Sequence, residues 1–288
     1  MKLKSLLPDA RATELLRAML LDGDAARDAW SRWRARVSDP MRALGEDTIM
    51  ARPLLPLLYD SVRRNGLPVD DALATYLRSA FLTESLRSRK YREIVAELLA
   101  LVDGAVLIKG AAIGELYYVD PTLRHAHDIE ILTGNPAAVR ASLIGSRFRP
   151  SGEHFVHESG LPLRVHENPA IGQDATFHLA YTLTHAARSP SRHSARWACD
   201  AFMIVRNASV DWSRLTELVP PITAAAQLHW LRDALGVNVS ADVIATLNER
   251  ARAASASERA AVRRSLAVGE VGWWRRVLRR LRLHRSAG

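Results

Sequence analysis

Asp128 and Glu130 are the two residues of this 288-residue chain whose spacing best suits acid or metal chemistry. They stand two apart in HDIEIL, where Ile129 and Ile131 alternate with the acids as in a strand. Side chains alternate across a strand, so both carboxylates leave one face, roughly 6–7 Å apart along the chain. Two hard oxygen ligands on one face suit Mg2+ or Mn2+. A second element lies upstream. Ala105-Val106-Leu107-Ile108 is an apolar run of strand length that ends in Lys109-Gly110 and passes into the helical pattern AAIGELYY. Glycine lets a backbone approach phosphate, a helix N-terminus offers free N–H groups, and Lys109 adds a point charge. The two elements together predict a site for a metal-bound triphosphate.

The order of apolar strand, glycine turn, short helix, Arg124 and Asp-x-Glu resembles the nucleotidyltransferases of the DNA polymerase β-like superfamily. More narrowly it resembles a bacterial family known as uncharacterised nucleotidyltransferase. The likeness runs from about Pro53 to about Leu218, beginning with PLLPLLYDSVRRNGLP and carried mainly by AVLIKGAAIGELYYVDPTLRHAHDIEIL. Lys109, Gly110, Tyr117 or Tyr118, Pro121, Arg124, Asp128 and Glu130 match the family core, LRVHENP places its characteristic histidine at His166, and Trp197, Asp200 and Trp212 match a later helix. The resemblance implies Mg2+-dependent transfer of a nucleotidyl group from an NTP to a hydroxyl of a small molecule or peptide. Asp128 and Glu130 would be the catalytic metal ligands. Lys109, Gly110 and Arg124 would hold the triphosphate, and His166 would join the binding site.

Three departures bear on that reading. Glu130 stands where the family more often has Asp, and Ala111 stands where many superfamily members have a phosphate-binding Ser. The additional carboxylate of the superfamily falls at Arg164, which leaves Glu167, Glu158 and Glu153 as substitutes. An alternative is therefore a catalytically impaired nucleotide-binding or protein-interaction member of the same fold.

The elements that must hold these residues follow from periodicity. Residues 1–103 read as an N-terminal helical region of roughly five helices, broken at Asp22 to Asp24, at Pro53 and Pro56, and at Asn65-Gly66-Leu67-Pro68. Residues 104–170 read as the nucleotidyltransferase-like core, with strands at 105–108, at 127–132, at Phe148, at 154–158 and at 161–167. Residues 171–267 return to helix, and 268–288 form a basic amphipathic tail. The expected fold is α+β, a small mixed sheet flanked by helical regions.

Eight of the ten histidines lie between His125 and His193, but no second Asp-His follows His125-Ala-His127-Asp128, so they read as surface or structural groups. Asp200 sits in an apolar helix and needs a partner, with Arg188 or Arg196 expected. Cys199, the single cysteine, reads as a small core residue and excludes an internal disulfide. The net charge of +9 invites a polyanion-binding reading, yet 268–288 holds six arginines against one glutamate. A partner protein, an anionic membrane surface or nucleic acid are the tail's expected contacts. No segment approaches the roughly 18 apolar residues of a membrane span, and a cytoplasmic protein is expected.

Overall fold

A computed structural model describes residues 6–46, 52–167, 172–188 and 195–264. The basic tail 268–288 lies outside the described residues. The fold is α+β, and among the described residues five α-helices precede the first strand: α1 (Ala10–Leu20), α2 (Gly23–Ala35), α3 (Pro40–Glu46), α4 (Leu55–Asn65) and α5 (Asp71–Leu101). Local chemistry sets their ends. The Asp9 carboxylate accepts from the Ala12 N–H and Asp70 from the Leu73 N–H, each at 2.8 Å, capping α1 and α5. Gly66 stops α4 in a left-handed conformation at φ 60°, which a Cβ would oppose.

Five strands then form one mixed sheet: β1 (Val106–Leu107), β2 (Ile129–Leu132), β3 (Phe148–Ser151), β4 (His154–His157) and β5 (Pro162–His166). Their spatial order is β1-β2-β5-β4-β3, with β2 and β5 parallel and the other pairs antiparallel. Helix α6 (Lys109–Tyr117) joins β1 to the segment before β2, and α7 (Pro136–Leu143) follows β2. The C-terminal helices are α8 (Ala175–Arg188), α9 (Arg196–Asn207), α10 (Trp212–Leu218), α11 (Pro221–Leu235) and α12 (Ala241–Ala253).

Ile129 and Ile131 are fully buried in a core that also takes Ile94 and Leu98 of α5 and Leu143 of α7. Burying each isoleucine contributes about 1.5–3 kcal/mol and fixes which face of β2 turns inward. A one-residue slip would turn the acids into this apolar core instead. The two helical regions, separated in sequence by the sheet, share a second core in which Leu16, Met19 and Leu58 join Leu183, Ala198 and Leu228. The Trp197 indole N–H donates to the Leu6 carbonyl at 3.2 Å across this junction. Helix α5, 31 residues long, ties the cores together, with Leu73 and Leu77 in one and Tyr91, Ile94 and Leu98 in the other. The sheet is therefore braced on one side by α5 and α7, and its other face turns toward α8 and α9.

His178 sits in the helical body with the Tyr117 hydroxyl 2.8 Å from its Nδ1 and no partner at Nε2 among the described residues. Burial lowers its pKa from 6.5 to about 4, against a weaker upward pull from Asp174. Between those values the unfolded chain binds a proton that the folded chain refuses. The stability His178 contributes is thus complete above about pH 6.5 and is lost as pH falls toward 4. Urea unfolding should show a loss of roughly 2 kcal/mol between about pH 7 and pH 5 from this residue, and a flatter profile in His178→Gln. Equal pH slopes for the two proteins would remove the assignment.

Candidate functional site

Three residues one helical face apart on α5 fix the segment that leads into β2. Glu84 takes the Nδ1 of His125 at 2.9 Å, Arg87 donates to the Ala126 carbonyl at 2.9 Å, and the Tyr91 hydroxyl donates to the Asp128 carbonyl at 3.2 Å. With its backbone held, β2 alternates as its sequence requires. Asp128 and Glu130 both line a pocket of about 430 Å3, whose other walls include Gly110, Arg164, Tyr181, Thr182 and Arg196.

Lys109 reaches Glu130 from the first residue of α6. Its backbone is left-handed at φ 53°, the one positive φ outside glycine among the described residues. Such a conformation costs a non-glycine residue about 1 kcal/mol or more. The ammonium pairs with the Glu130 carboxylate and lies 5.7 Å from the ring centroid of Tyr181. His166, at the end of β5, places Nε2 2.8 Å from the same Glu130 oxygen. Burial, then the charges of Glu130 and Asp128, raise the pKa of the Tyr181 phenol.

Arg124 is positioned differently from the sequence expectation. Its Nε and Nη2 bind the two oxygens of Asp200 at 2.8 and 2.9 Å, and its Nη1 donates to the Gly110 carbonyl at 2.7 Å. All three guanidinium nitrogens are engaged, and Arg124 braces the wall of the pocket. Gly110 answers to that brace. A Cβ there would lie 3.3 Å from both terminal nitrogens of Arg124, which Asp200 prevents from moving away. Asp200 therefore pairs with Arg124, while of the two expected partners Arg196 adds charge nearby and the Arg188 side chain lies outside the described residues; Asp200 also accepts from the Tyr118 hydroxyl at 2.9 Å. Burial pushes the Asp200 carboxyl up, but Arg124, Arg196 and Tyr118 outweigh it and hold it below its ordinary value.

Arg196 lines the pocket and donates to the His125 carbonyl. Burial first, and Arg124 second, lower its pKa. A guanidinium penalised in both ways gains from a bound anion. Thr182 adds a buried hydroxyl on the pocket wall with no hydrogen-bond partner among the described residues. Tyr181, Thr182 and Arg196 carried no motif in the sequence. The α8 pattern marks Tyr181 only as one of several helical apolar positions, and their convergence with Asp128 depends on how α8 and α9 pack.

Arg164 stands where the resemblance implies a further carboxylate. In the parallel ladder Glu130 of β2 lies opposite Arg164 of β5. Arg164 Nη1 stands 3.7 Å from Glu130 Oε1 and 3.9 Å from Asp128 Oδ2. None of Glu153, Glu158 or Glu167 lines the pocket, and Glu158 pairs with Arg147 at the other edge of the sheet. Among the described residues no group of three or more His, Cys, Asp and Glu side chains is arranged to hold a metal ion.

Mg2+ held by Asp128 and Glu130 does not fit this donor set. The two carboxylates already face two cations, Lys109 and Arg164, so a divalent ion meets a locally neutral site. Two unit charges about 4 Å apart interact by about 4 kcal/mol at a dielectric typical of a protein surface. The guanidinium thus offsets part of the attraction of the two acids for a metal. Arg164 keeps donors for a ligand, since its side chain is 57% exposed.

No protein-family model, curated protein or solved structure matches the chain. No helix among the described residues is long and apolar enough to cross a membrane.

Proposed function

We propose that this pocket is a nucleotidyltransferase-type site that binds a nucleoside triphosphate and directs its nucleotidyl group to a hydroxyl of a small molecule or peptide. The observation that carries the reading is that Gly110, in the first turn of α6, lines one pocket with Asp128 and Glu130 of β2, while the neighbouring Lys109 ammonium pairs with Glu130. Lys109 and Arg164 provide charge-assisted donors for phosphate oxygens, and Arg196 and Thr182 supply further donors across the cavity. Asp128, with its side chain 22% exposed, is the carboxylate left to accept a proton from the acceptor hydroxyl. Glu130 serves a different purpose. Bound by both Lys109 and His166, it orients the lysine. In this reading the acceptor oxygen bonds to the α-phosphorus as the bond to the pyrophosphate oxygen breaks.

A second reading is nucleotide binding without turnover. It is favoured by Arg164, which stands where the resemblance calls for a carboxylate.

Titration calorimetry of the full chain with the four NTPs and their monophosphates tests the binding. A triphosphate is expected to bind at least tenfold more tightly than its monophosphate, because added phosphates meet added cationic donors. Equal or absent binding of all eight would overturn the nucleotide reading. Release of pyrophosphate with glycerol as a surrogate acceptor then separates the two readings: turnover supports transfer, and saturable binding without turnover supports the second.

A further inference from the structure

We infer that Arg164 does the work of a metal ion in this pocket, so that phosphoanhydride binding here is independent of divalent cations. The inference rests on the nucleotide reading above and specifies its charge chemistry. Three observations carry it. The ladder places Arg164 directly opposite Glu130 on the neighbouring parallel strand, so its position is set by backbone register. Its Nη1 lies between the two acids, 3.7 Å from Glu130 Oε1 and 3.9 Å from Asp128 Oδ2. Lys109 pairs with Glu130 from the other side. A cation that bridges carboxylates to phosphates elsewhere is thus supplied by the chain itself. The guanidinium also retains unpaired N–H groups, because its contacts with the acids are long and more than half of its side chain is exposed. These can fork onto two phosphate oxygens as a metal would bridge them.

The charge state of the ligand follows. Free ATP carries about two more negative charges than its Mg2+ complex. Lys109 and Arg164 balance Asp128 and Glu130, so the Arg196 guanidinium adds the net positive charge that rewards the anion, and the free N–H groups of Arg164 add donors for it.

Calorimetry of the full chain with ATP and with inorganic tripolyphosphate, each in EDTA and in Mg2+, reads the inference directly. Wild-type protein is expected to bind in EDTA at least as tightly as in Mg2+. Arg164→Gln, which removes the charge and keeps most of the bulk, should weaken binding in EDTA about tenfold or more. Arg164→Glu places a third carboxylate beside Asp128 and Glu130, and should abolish binding in EDTA while making binding dependent on Mg2+. Circular dichroism and a melting curve confirm that each variant is folded; Arg164→Gln carries the test should Arg164→Glu not fold. Wild-type binding that appears only with Mg2+ overturns this inference and leaves the nucleotide reading standing. Binding of Arg164→Gln equal to wild type in EDTA also overturns it. Absence of binding under both conditions overturns the nucleotide reading, and this inference with it.

Discussion

Asp200→Ala is expected to lower the stability of the folded chain by about 3–5 kcal/mol, the largest effect of any single substitution near the site. The reason lies in what remains. Arg124 is buried, with Nε and Nη2 both on the Asp200 carboxylate, and removing that partner strands a guanidinium that cannot reach bulk water. The Tyr118 hydroxyl loses its acceptor as well. Breaking a buried pair costs far more than the pair contributes, because desolvation has already consumed most of the attraction. Replacing both partners with apolar residues, Arg124→Met with Asp200→Leu, should therefore cost less than Asp200→Ala alone. Denaturant unfolding of the three proteins measures this, and a double variant less stable than the single one would refute it. The pH dependence has a fixed sign. The Asp200 carboxyl lies below its ordinary 3.8 in the folded chain, so its contribution is complete above about pH 4 and is lost as pH falls through the lower, folded value. The loss from Asp200 should begin below the range in which His178 acts.

The contrast between local and distant determinants explains what the sequence could and could not disclose. Gly66 ends α4, Asp70 caps α5, and Asp211 caps α10 through the Arg214 N–H, all within four residues of the groups they serve. The alternation of Ile129 and Ile131 with Asp128 and Glu130 is local too, and the structure turns both acids into one pocket. Arg124 and Asp200 are 76 residues apart, and nothing between them marks the pairing. An arginine near an acidic motif reads as a ligand for phosphate, and only packing shows that its donors are already engaged. Arg164 shows the middle case. Its identity signalled a departure, but the significance of that departure depends on a strand register with Glu130 that spans 34 positions. The union of the two helical regions in one core was hidden for the same reason, since Leu6 and Trp197 meet across 191 positions.

Lys109→Gly is expected to weaken triphosphate binding about ten- to a hundredfold and to be more stable than Lys109→Ala by about 1 kcal/mol. The loss of binding follows from removing a charged donor beside Glu130 and Tyr181. The order of stabilities follows from the backbone. In an ordinary helical position alanine exceeds glycine by about 1 kcal/mol. At φ 53° the preference reverses, because the Cβ of alanine meets the carbonyl oxygen that a left-handed conformation brings close, and glycine has no Cβ. Both variants lose the same ion pair to Glu130, so their difference isolates the backbone from the charge. Calorimetry with a triphosphate and urea unfolding of both proteins read the two effects separately. A Lys109→Ala protein as stable as Lys109→Gly would show that the turn carries no strain. Triphosphate affinity unchanged in both would show that the lysine serves only its carboxylate. The expected outcome couples the two: the chain keeps an unfavourable backbone at the mouth of α6 because only from there does the lysine meet β2, β5 and α8 together.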